Sequence, residues 1–162
     1  ARWNGQTRGD HAFSVAQHSI LVEAIFVRQS KDAPPEARLA ALLHDAPEYV
    51  IGDMISPFKT FLGGGYKEVE ARLQRAIHLR FGLNPETPAA LRNDIKRADQ
   101  IAAYFEATML AGFSVAEATK YFGRPRGFVL EGDEVRPRST SWVETTFIER
   151  FGQIEADLAV RR

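Results

Sequence analysis

The chain has 162 residues, with 21 basic and 21 acidic side chains and therefore no formal net charge at pH 7. This balance supplies no field that would attract a nucleic acid or an anionic membrane, so neither is expected as a partner. Cysteine is absent, which excludes disulfides and thiolate zinc clusters and leaves His, Asp, Glu and carbonyl oxygens as metal ligands. The length predicts one domain over residues 1–162, and the lack of cysteine and of a long apolar run predicts a soluble, cytoplasmic protein.

Helical periodicity dominates the sequence, and no stretch of strict alternation is long enough to predict a sheet. The first predicted helix runs from about Asp10, as its N-cap, to Gln29. Within it, His18 is followed by apolar side chains three, four and seven positions later, so its face of the helix is predicted to be buried.

A second predicted helix begins at Pro34 and Pro35, since proline favours the first turn. It continues to the adjacent pair His44 and Asp45 and is bent or ended by Pro47. The two neighbouring side chains would lie about 100° apart around that helix, so that one ion could be reached by both.

Two more helices are predicted in the middle of the chain. One covers residues 66–81, where apolar side chains recur on one stripe. A longer one begins at Thr87 and Pro88, a favoured pairing of cap and first position, and carries Asp99 at the edge of its core stripe.

Capping-box spacings predict two later helix starts, at Ser114 with Glu117 and at Ser141 with Glu144. Between them, residues 123–139 are rich in Gly, Pro and Arg and predict an irregular loop or at most a small hairpin. The expected fold is therefore an all-α, single-domain bundle of about six to seven helices.

Two imidazoles and two carboxylates form a candidate metal site, which consists of His18, His44, Asp45 and Asp99. The two histidines are 26 residues apart, and one straight helix would separate them by about 39 Å, so they must come from different helices. Each group alone has an ordinary reading as a core histidine, a chance dipeptide or a surface carboxylate. As a set they favour a cation, because an unpaired carboxylate beside apolar residues costs several kcal/mol.

The succession of His, His-Asp and Asp resembles the HD-domain superfamily of metal-dependent phosphohydrolases. A closer similarity, over about residues 2 to 110, is to the YfbR type of 5'-nucleotidase. The matching residues are Arg2-Trp3, Val15-Ala16-Gln17-His18-Ser19, residues 44–53 with Pro57 and Lys59, and Lys96-Arg97-Ala98-Asp99 with Ala103-Tyr104. The resemblance implies an HD-type helical domain and a phosphomonoesterase that cleaves deoxyribonucleoside 5'-monophosphates to nucleoside and phosphate.

The resemblance also implies roles for individual residues. It makes His18, His44, Asp45 and Asp99 the ligands of one divalent ion, with Mn, Co, Fe, Ni, Mg and Zn as candidates. The remaining positions are Glu48 near the attacking water, Arg2 on the phosphate, Trp3 closing the sugar pocket, Asp53 near the sugar, and Lys59 as an added positive charge. The implied partner is a small phosphate ester, a nucleotide, and the family resemblance suggests a homodimer.

Several residues keep alternative interpretations. Glu48 also fits a solvated surface charge, Asp53 an ordinary turn residue, and Arg2 and Trp3 the exposed and anchoring residues of a frayed terminus. Gln17 stands where these nucleotidases usually have an acidic residue. The stretch that contains Arg124, Arg126, Arg136 and Arg138 fits either a polar loop or a phosphate-binding segment.

Two alternative functions follow from the same residues. One is a phosphodiesterase or nucleoside polyphosphate hydrolase of the HD superfamily. The other, from a different class, is a metal-dependent nucleotide-binding or sensing module that does not turn its ligand over.

Overall fold

The computed structural model describes residues 1–54 and 64–161, and all regular structure within these ranges is helical. A short 3-10 segment, Arg2–Gly5, precedes the helices α1 Val15–Gln29, α2 Pro35–Leu42, α3 Glu48–Ile51, α4 Gly64–Arg80, α5 Ala89–Met109, α6 Val115–Phe122, α7 Gly132–Val135 and α8 Thr140–Arg161. The prediction of an all-α bundle is confirmed, and two of the eight described helices are single turns. None of the described helices is both long and apolar enough to cross a membrane.

Helix α1 begins later than the sequence predicts. Its N-cap is Ser14, whose hydroxyl accepts a hydrogen bond from the backbone N–H of Gln17 at 3.1 Å. Asp10 lies in a bend outside the helix, so its assignment as the cap is wrong, whereas the predicted end at Gln29 is confirmed. A hydroxyl cap of this kind stabilises a helix by about 1 kcal/mol.

Helix α2 ends at Leu42, so His44 and Asp45 lie in a turn rather than on the helix that the sequence predicts. In this turn the Ala46 N–H donates to the Leu43 carbonyl at 3.1 Å, a three-residue spacing that replaces the α-helical one. Pro47 has no N–H to donate to the Leu43 carbonyl, and the Ala46 N–H donates to it instead, so α-helical hydrogen bonding does not run through this turn. Pro47 then forms the N-cap of α3.

Helix α1 lies at the centre of the bundle and packs against α2, α5 and α8. The core formed between them includes the fully buried side chains of Val22, Ile25, Leu39, Ala102 and Ile154. Burial of an aliphatic side chain of this size contributes about 1.5 to 3 kcal/mol relative to its exposure. This packing fixes the crossing of α1 with α5, which is where His18 and Asp99 lie.

The later helix starts agree only in part with their predictions. The capping box at Ser114 and Glu117 is confirmed, with the Ser114 N–H donating to the Glu117 carboxylate at 2.9 Å. Helix α8 instead begins before Ser141, and the Ser139 hydroxyl accepts from the Trp142 N–H at 3.3 Å. The predicted cap at Ser141 is therefore wrong.

Residues 123–139 contain no strand, so the hairpin alternative is wrong and the irregular alternative is confirmed. The segment includes the single turn α7, which the Glu134 carboxylate caps by accepting from the Glu131 N–H at 2.9 Å. This acidic cap favours a helical turn at the place where the hairpin would have required a β-turn.

Candidate metal centre

Three of the four predicted metal ligands, His18, His44 and Asp99, have ligand atoms that all lie within 4.8 Å of one another, where α1, the turn after α2 and α5 converge. Asp45 lies beside this group, close to both histidines. His18 Nε2 lies 3.4 Å from Asp45 Oδ2 and 3.3 Å from Asp99 Oδ1. His44 Nε2 also lies 3.4 Å from Asp45 Oδ2, and the two imidazole centroids are 5.3 Å apart. Ligand atoms about 2.1 Å from a common ion are separated by about 3.0 to 4.2 Å, so these distances suit a shared divalent cation.

The hydrogen bonds on the outer side of each imidazole fix which ring nitrogen faces the centre. His44 Nδ1 lies 2.9 Å from the Ala41 carbonyl, which can only accept, so Nδ1 carries the proton. His18 Nδ1 lies 2.5 Å from Glu106 Oε1 and donates to that carboxylate. In their neutral forms, both residues therefore direct the Nε2 lone pair toward Asp45 and Asp99.

Both Nε2 atoms are buried, and neither has a hydrogen-bond partner within the described parts of the chain. Their nearest polar neighbours are carboxylate oxygens, which are also acceptors. Two acceptors that face each other in a buried site need a cation between them, either a proton or a metal ion. The donor set of two imidazoles and two carboxylates fits a divalent ion and would leave it near neutral charge.

The ionisation of these groups reflects the same electrostatics. Burial alone would lower the pKa of His18, but Glu106 and Asp99 outweigh it and raise that pKa to about 10. Burial also opposes ionisation of Asp45 and Asp99, yet the adjacent imidazoles hold the pKa of each carboxyl well below its usual range. The site therefore favours the ionised carboxylates of Asp45 and Asp99 together with a positive charge between them and the histidines.

Glu106 is a residue of the candidate site that the sequence reasoning missed. It is fully buried in α5 and accepts from Trp3 Nε1 at 2.9 Å and from Arg2 Nε at 3.4 Å, in addition to His18. These partners, above all His18, hold the pKa of Glu106 below its usual value against the opposing effect of burial. A signal was present, because Glu106 lies seven residues after Asp99 on the same helical face, within an apolar run.

Arg2 lies beside the four ligands. Its Nη1 atom is 3.9 Å from Asp45 Oδ2 and 3.7 Å from Asp53 Oδ1, and its side chain is 15% exposed. Burial disfavours the charged guanidinium, but Glu106, Asp53 and Asp45 outweigh burial and raise the Arg2 pKa above its ordinary value. The terminus is therefore tied to the centre, and the interpretation of Arg2 as a frayed, solvent-exposed residue is wrong.

Trp3 packs into an aromatic cluster instead of standing free at the terminus. Its ring centroid is 5.6 Å from Phe113 and 5.8 Å from Phe122, both in edge-on geometry. Trp3 and Asn4 also have left-handed backbone angles, with φ of 55° and 53°. This conformation costs about 1 to 2 kcal/mol for each such residue, so the contacts of the Trp3 ring hold a strained turn against the metal centre.

Gln17 links α1 to the segment that precedes α8. Its buried amide donates to the Arg136 carbonyl at 2.7 Å and accepts from the Arg138 N–H at 3.1 Å. A carboxylate at this position has no donor for the Arg136 carbonyl. Gln17 thereby ties the segment before α8 to the first turn of α1, directly before His18.

Comparison with known proteins adds a family relationship. An uncharacterized protein of Rhodobacter capsulatus is 51% identical over 150 residues, which are 93% of this chain and 76% of that protein. The chain belongs to the same family as this protein. YfdR, an uncharacterized protein of Escherichia coli, is 33% identical over 91 residues, which are 56% of this chain and 44% of YfdR. No protein-family model matches the sequence.

In this member of the family, a cavity of about 550 Å³ reaches the candidate metal centre at Asp45. Asp45 and Glu48 form part of its wall, and Val15, Phe81 and Phe147 are among the apolar residues that line the rest. Glu48 is only 6% exposed, so its interpretation as a solvated surface charge is wrong. Lys59 lies outside the described residues.

Proposed function

We propose that the chain is a metal-dependent phosphomonoesterase that releases phosphate from (deoxy)nucleoside 5'-monophosphates. The observation that carries this proposal is the pair of buried Nε2 atoms of His18 and His44, which face the carboxylates of Asp45 and Asp99 without a hydrogen-bond partner in the described structure. These four residues would hold one divalent ion. When bound, such an ion polarises a phosphoryl oxygen and acidifies water.

Hydrogen bonds from the Nδ1 atoms of the two histidines hold their rings in position. Glu106 and the Ala41 carbonyl accept from the Nδ1 atoms of His18 and His44 and so keep both Nε2 lone pairs directed inward. Outer hydrogen bonds of this kind fix the tautomer and orientation of metal-binding histidines. The ligands are therefore positioned before a metal binds.

Glu48 is the candidate general base. It begins α3 three residues after Asp45, its backbone N–H donates to the Asp45 carbonyl at 3.0 Å, and both residues line the same cavity. A carboxylate there would orient the attacking water and accept its proton. The place of Glu48 in the cavity wall, beside Asp45, supports this role.

Arg2 is the candidate phosphate-binding residue. Its guanidinium is held by Glu106 while its Nη1 atom points toward Asp45 and Asp53, at the edge of the metal centre. A guanidinium matches the geometry of phosphate oxygens and would stabilise the charge that develops as the ester bond opens. Glu106 balances the arginine charge, so the two together add no net charge to the site.

The size and polarity of the adjacent cavity support an organic phosphate as substrate. A volume of about 550 Å³ lies in the range of small-molecule sites, and its walls are mainly apolar, with Ser14, Ser19, Asp45, Glu48 and Tyr49 as the polar residues. Such a cavity would accept the base and sugar of a nucleotide while the phosphate meets the metal and Arg2.

The test is a panel of deoxyribonucleotides, ribonucleotides, cyclic dinucleotides and nucleoside triphosphates crossed with Mn, Co, Fe, Ni, Mg and Zn. We expect release of inorganic phosphate from monophosphates, and an Asp99→Asn variant that loses both metal binding and activity. Asp10→Asn, at an exposed position outside the centre, is the matched control and should keep both.

Other outcomes would replace the proposal. Cleavage of diesters or triphosphates, with monophosphates inert, would assign the site to a phosphodiesterase or polyphosphate hydrolase. Tight nucleotide binding without phosphate release under any of these metals would assign it to a sensing module.

A further inference from the structure

A second cavity, of about 270 Å³, borders α5 and contains none of the candidate metal ligands in its described lining. It is bounded by the end of α1 at Gln29, by Arg97 and Gln100 of α5, and by the residues that follow α6. Arg97 and Asp99 are two residues apart and therefore point about 160° away from each other around α5. The second cavity is thus separate from the proposed catalytic site.

The charged side chains that line this cavity, within the described residues, are all positive. Three arginines, Arg97, Arg124 and Arg126, line it, and none of its described lining residues carries a carboxylate. Since the whole chain is electrically neutral, this is a local concentration of positive charge. Arg97 pairs with Asp94, but both side chains are largely exposed, and an exposed pair of this kind is worth less than about 1 kcal/mol.

Another arginine of the same arginine-rich segment, Arg138, is bound to other side chains of the protein. Arg138 is bonded to Asp133 at 2.8 Å, and its guanidinium stacks 5.3 Å from the centre of the Trp142 ring. Arg124 and Arg126 instead border the cavity. The structure therefore divides the arginine-rich segment into a part that packs on the protein and a part that faces an open space.

We propose that this cavity binds a small organic phosphate, of the nucleoside phosphate class. Guanidinium groups present paired N–H donors that match phosphate oxygens, and three of them here would meet a ligand with more than one negative charge. The amides of Gln29 and Gln100 and the ring of Phe122 supply hydrogen-bonding and apolar contacts for the organic part. The described lining contains no histidine or carboxylate for acid-base chemistry, so the phosphate is a bound ligand and not a substrate.

The experiment titrates ADP, pyrophosphate and inorganic phosphate into the full chain loaded with one equivalent of Zn²⁺, and follows backbone amide shifts by NMR. Saturable shifts are expected at Gln100, Phe122, Gly123, Arg124 and Arg126, with ADP binding most tightly. Shifts at His18, Asp45 and Asp99 report the metal centre separately. Failure of the proposed phosphatase and failure of this second site are therefore distinguishable.

Replacement of both Arg124 and Arg126 by Ala should weaken ADP binding at residues 122–126 at least tenfold. A double Ala variant of Arg72 and Arg92, two exposed arginines outside the cavity, makes the same charge change and should alter affinity less than twofold. No local shift at millimolar ADP, or equal weakening in both double variants, would overturn the proposal. If inorganic phosphate bound as tightly as ADP, the proposal that the cavity recognises the organic part of the ligand would be refuted.

Discussion

His18 Nδ1 and Glu106 Oε1 lie 2.5 Å apart, and both side chains are fully buried. The two residues come from α1 and α5, separated by 88 positions in the sequence. Glu106 also accepts from Arg2 and Trp3, so one carboxylate orients His18, a candidate metal ligand, and holds the N-terminal turn in place.

Replacement of Glu106 by Gln tests this relationship. The amide keeps nearly the same shape but loses the charge that orients the His18 ring and balances Arg2. We expect metal affinity to fall about 10- to 100-fold, the usual effect of removing an outer partner of a metal-binding histidine. Cobalt titration followed by visible absorption measures this directly. The exposed Glu155→Gln is the control, and equal affinities in the two variants would contradict the role given to Glu106.

The pH dependence of the metal-free protein follows from His18. Despite burial, which lowers it, the His18 pKa is raised from 6.5 to about 10 by Glu106 and Asp99. Because the folded pKa exceeds the unfolded one, this group stabilises the fold fully below pH 6.5, and its contribution is lost as the pH rises through about 10. The urea midpoint of the metal-free chain should therefore fall across this window, and a His18→Gln variant should show a smaller fall.

Metal binding should respond to pH in the opposite direction. A divalent ion needs the neutral imidazole and competes with its proton, so the apparent metal affinity should rise from pH 6.5 toward 10. Calorimetry at several pH values measures both the affinity and the protons released. An affinity that falls over this range would exclude His18 as a ligand.

Replacement of Trp3 by Phe isolates the indole hydrogen bond. The ring contacts with Phe113 and Phe122 are largely kept, while the buried Glu106 carboxylate loses one donor. We expect a loss of about 1 to 3 kcal/mol in the free energy of unfolding, measured in urea. Trp142→Phe, on a half-exposed side chain, provides the comparison and should cost much less. Equal losses would show that the hydrogen bond to Glu106 adds nothing.

A buried ionic cluster that joins α1, α2 and α8 gives a prediction for stability. Glu23 is fully buried and accepts from Arg150 Nε at 2.8 Å and from Arg38 Nε at 3.2 Å. Arg150→Ala removes a main partner of a buried carboxylate and should cost about 3 kcal/mol in unfolding free energy. Arg75→Ala breaks the exposed pair with Glu86 and should cost less than about 1 kcal/mol. Similar values for the two variants would contradict a stabilising role for the cluster.

Much of the fold follows from local sequence signals. The capping box at Ser114, the end of α1 at Gln29 and the long amphipathic helix that carries Asp99 are properties of a few neighbouring residues. Local reasoning was wrong where two signals competed. Pro47 predicted where the chain bends, yet α2 ended five residues earlier, and Ser139 took the capping position assigned to Ser141.

The sequence by itself determined the types and spacing of the candidate ligands, because a His, a His-Asp pair and an Asp on separate segments can be read from the chain. Only the tertiary structure decided which nitrogen of each histidine faces the centre, that Glu106 supports His18, and that Arg2 and Trp3 are held against it. Those relations depend on contacts between α1, α5 and the N-terminal turn. Glu106 lies about a hundred residues after Arg2, Trp3 and His18 in the sequence. The sequence shows that a carboxylate in an apolar run needs a partner, but only the packing of the helices shows which residue that partner is.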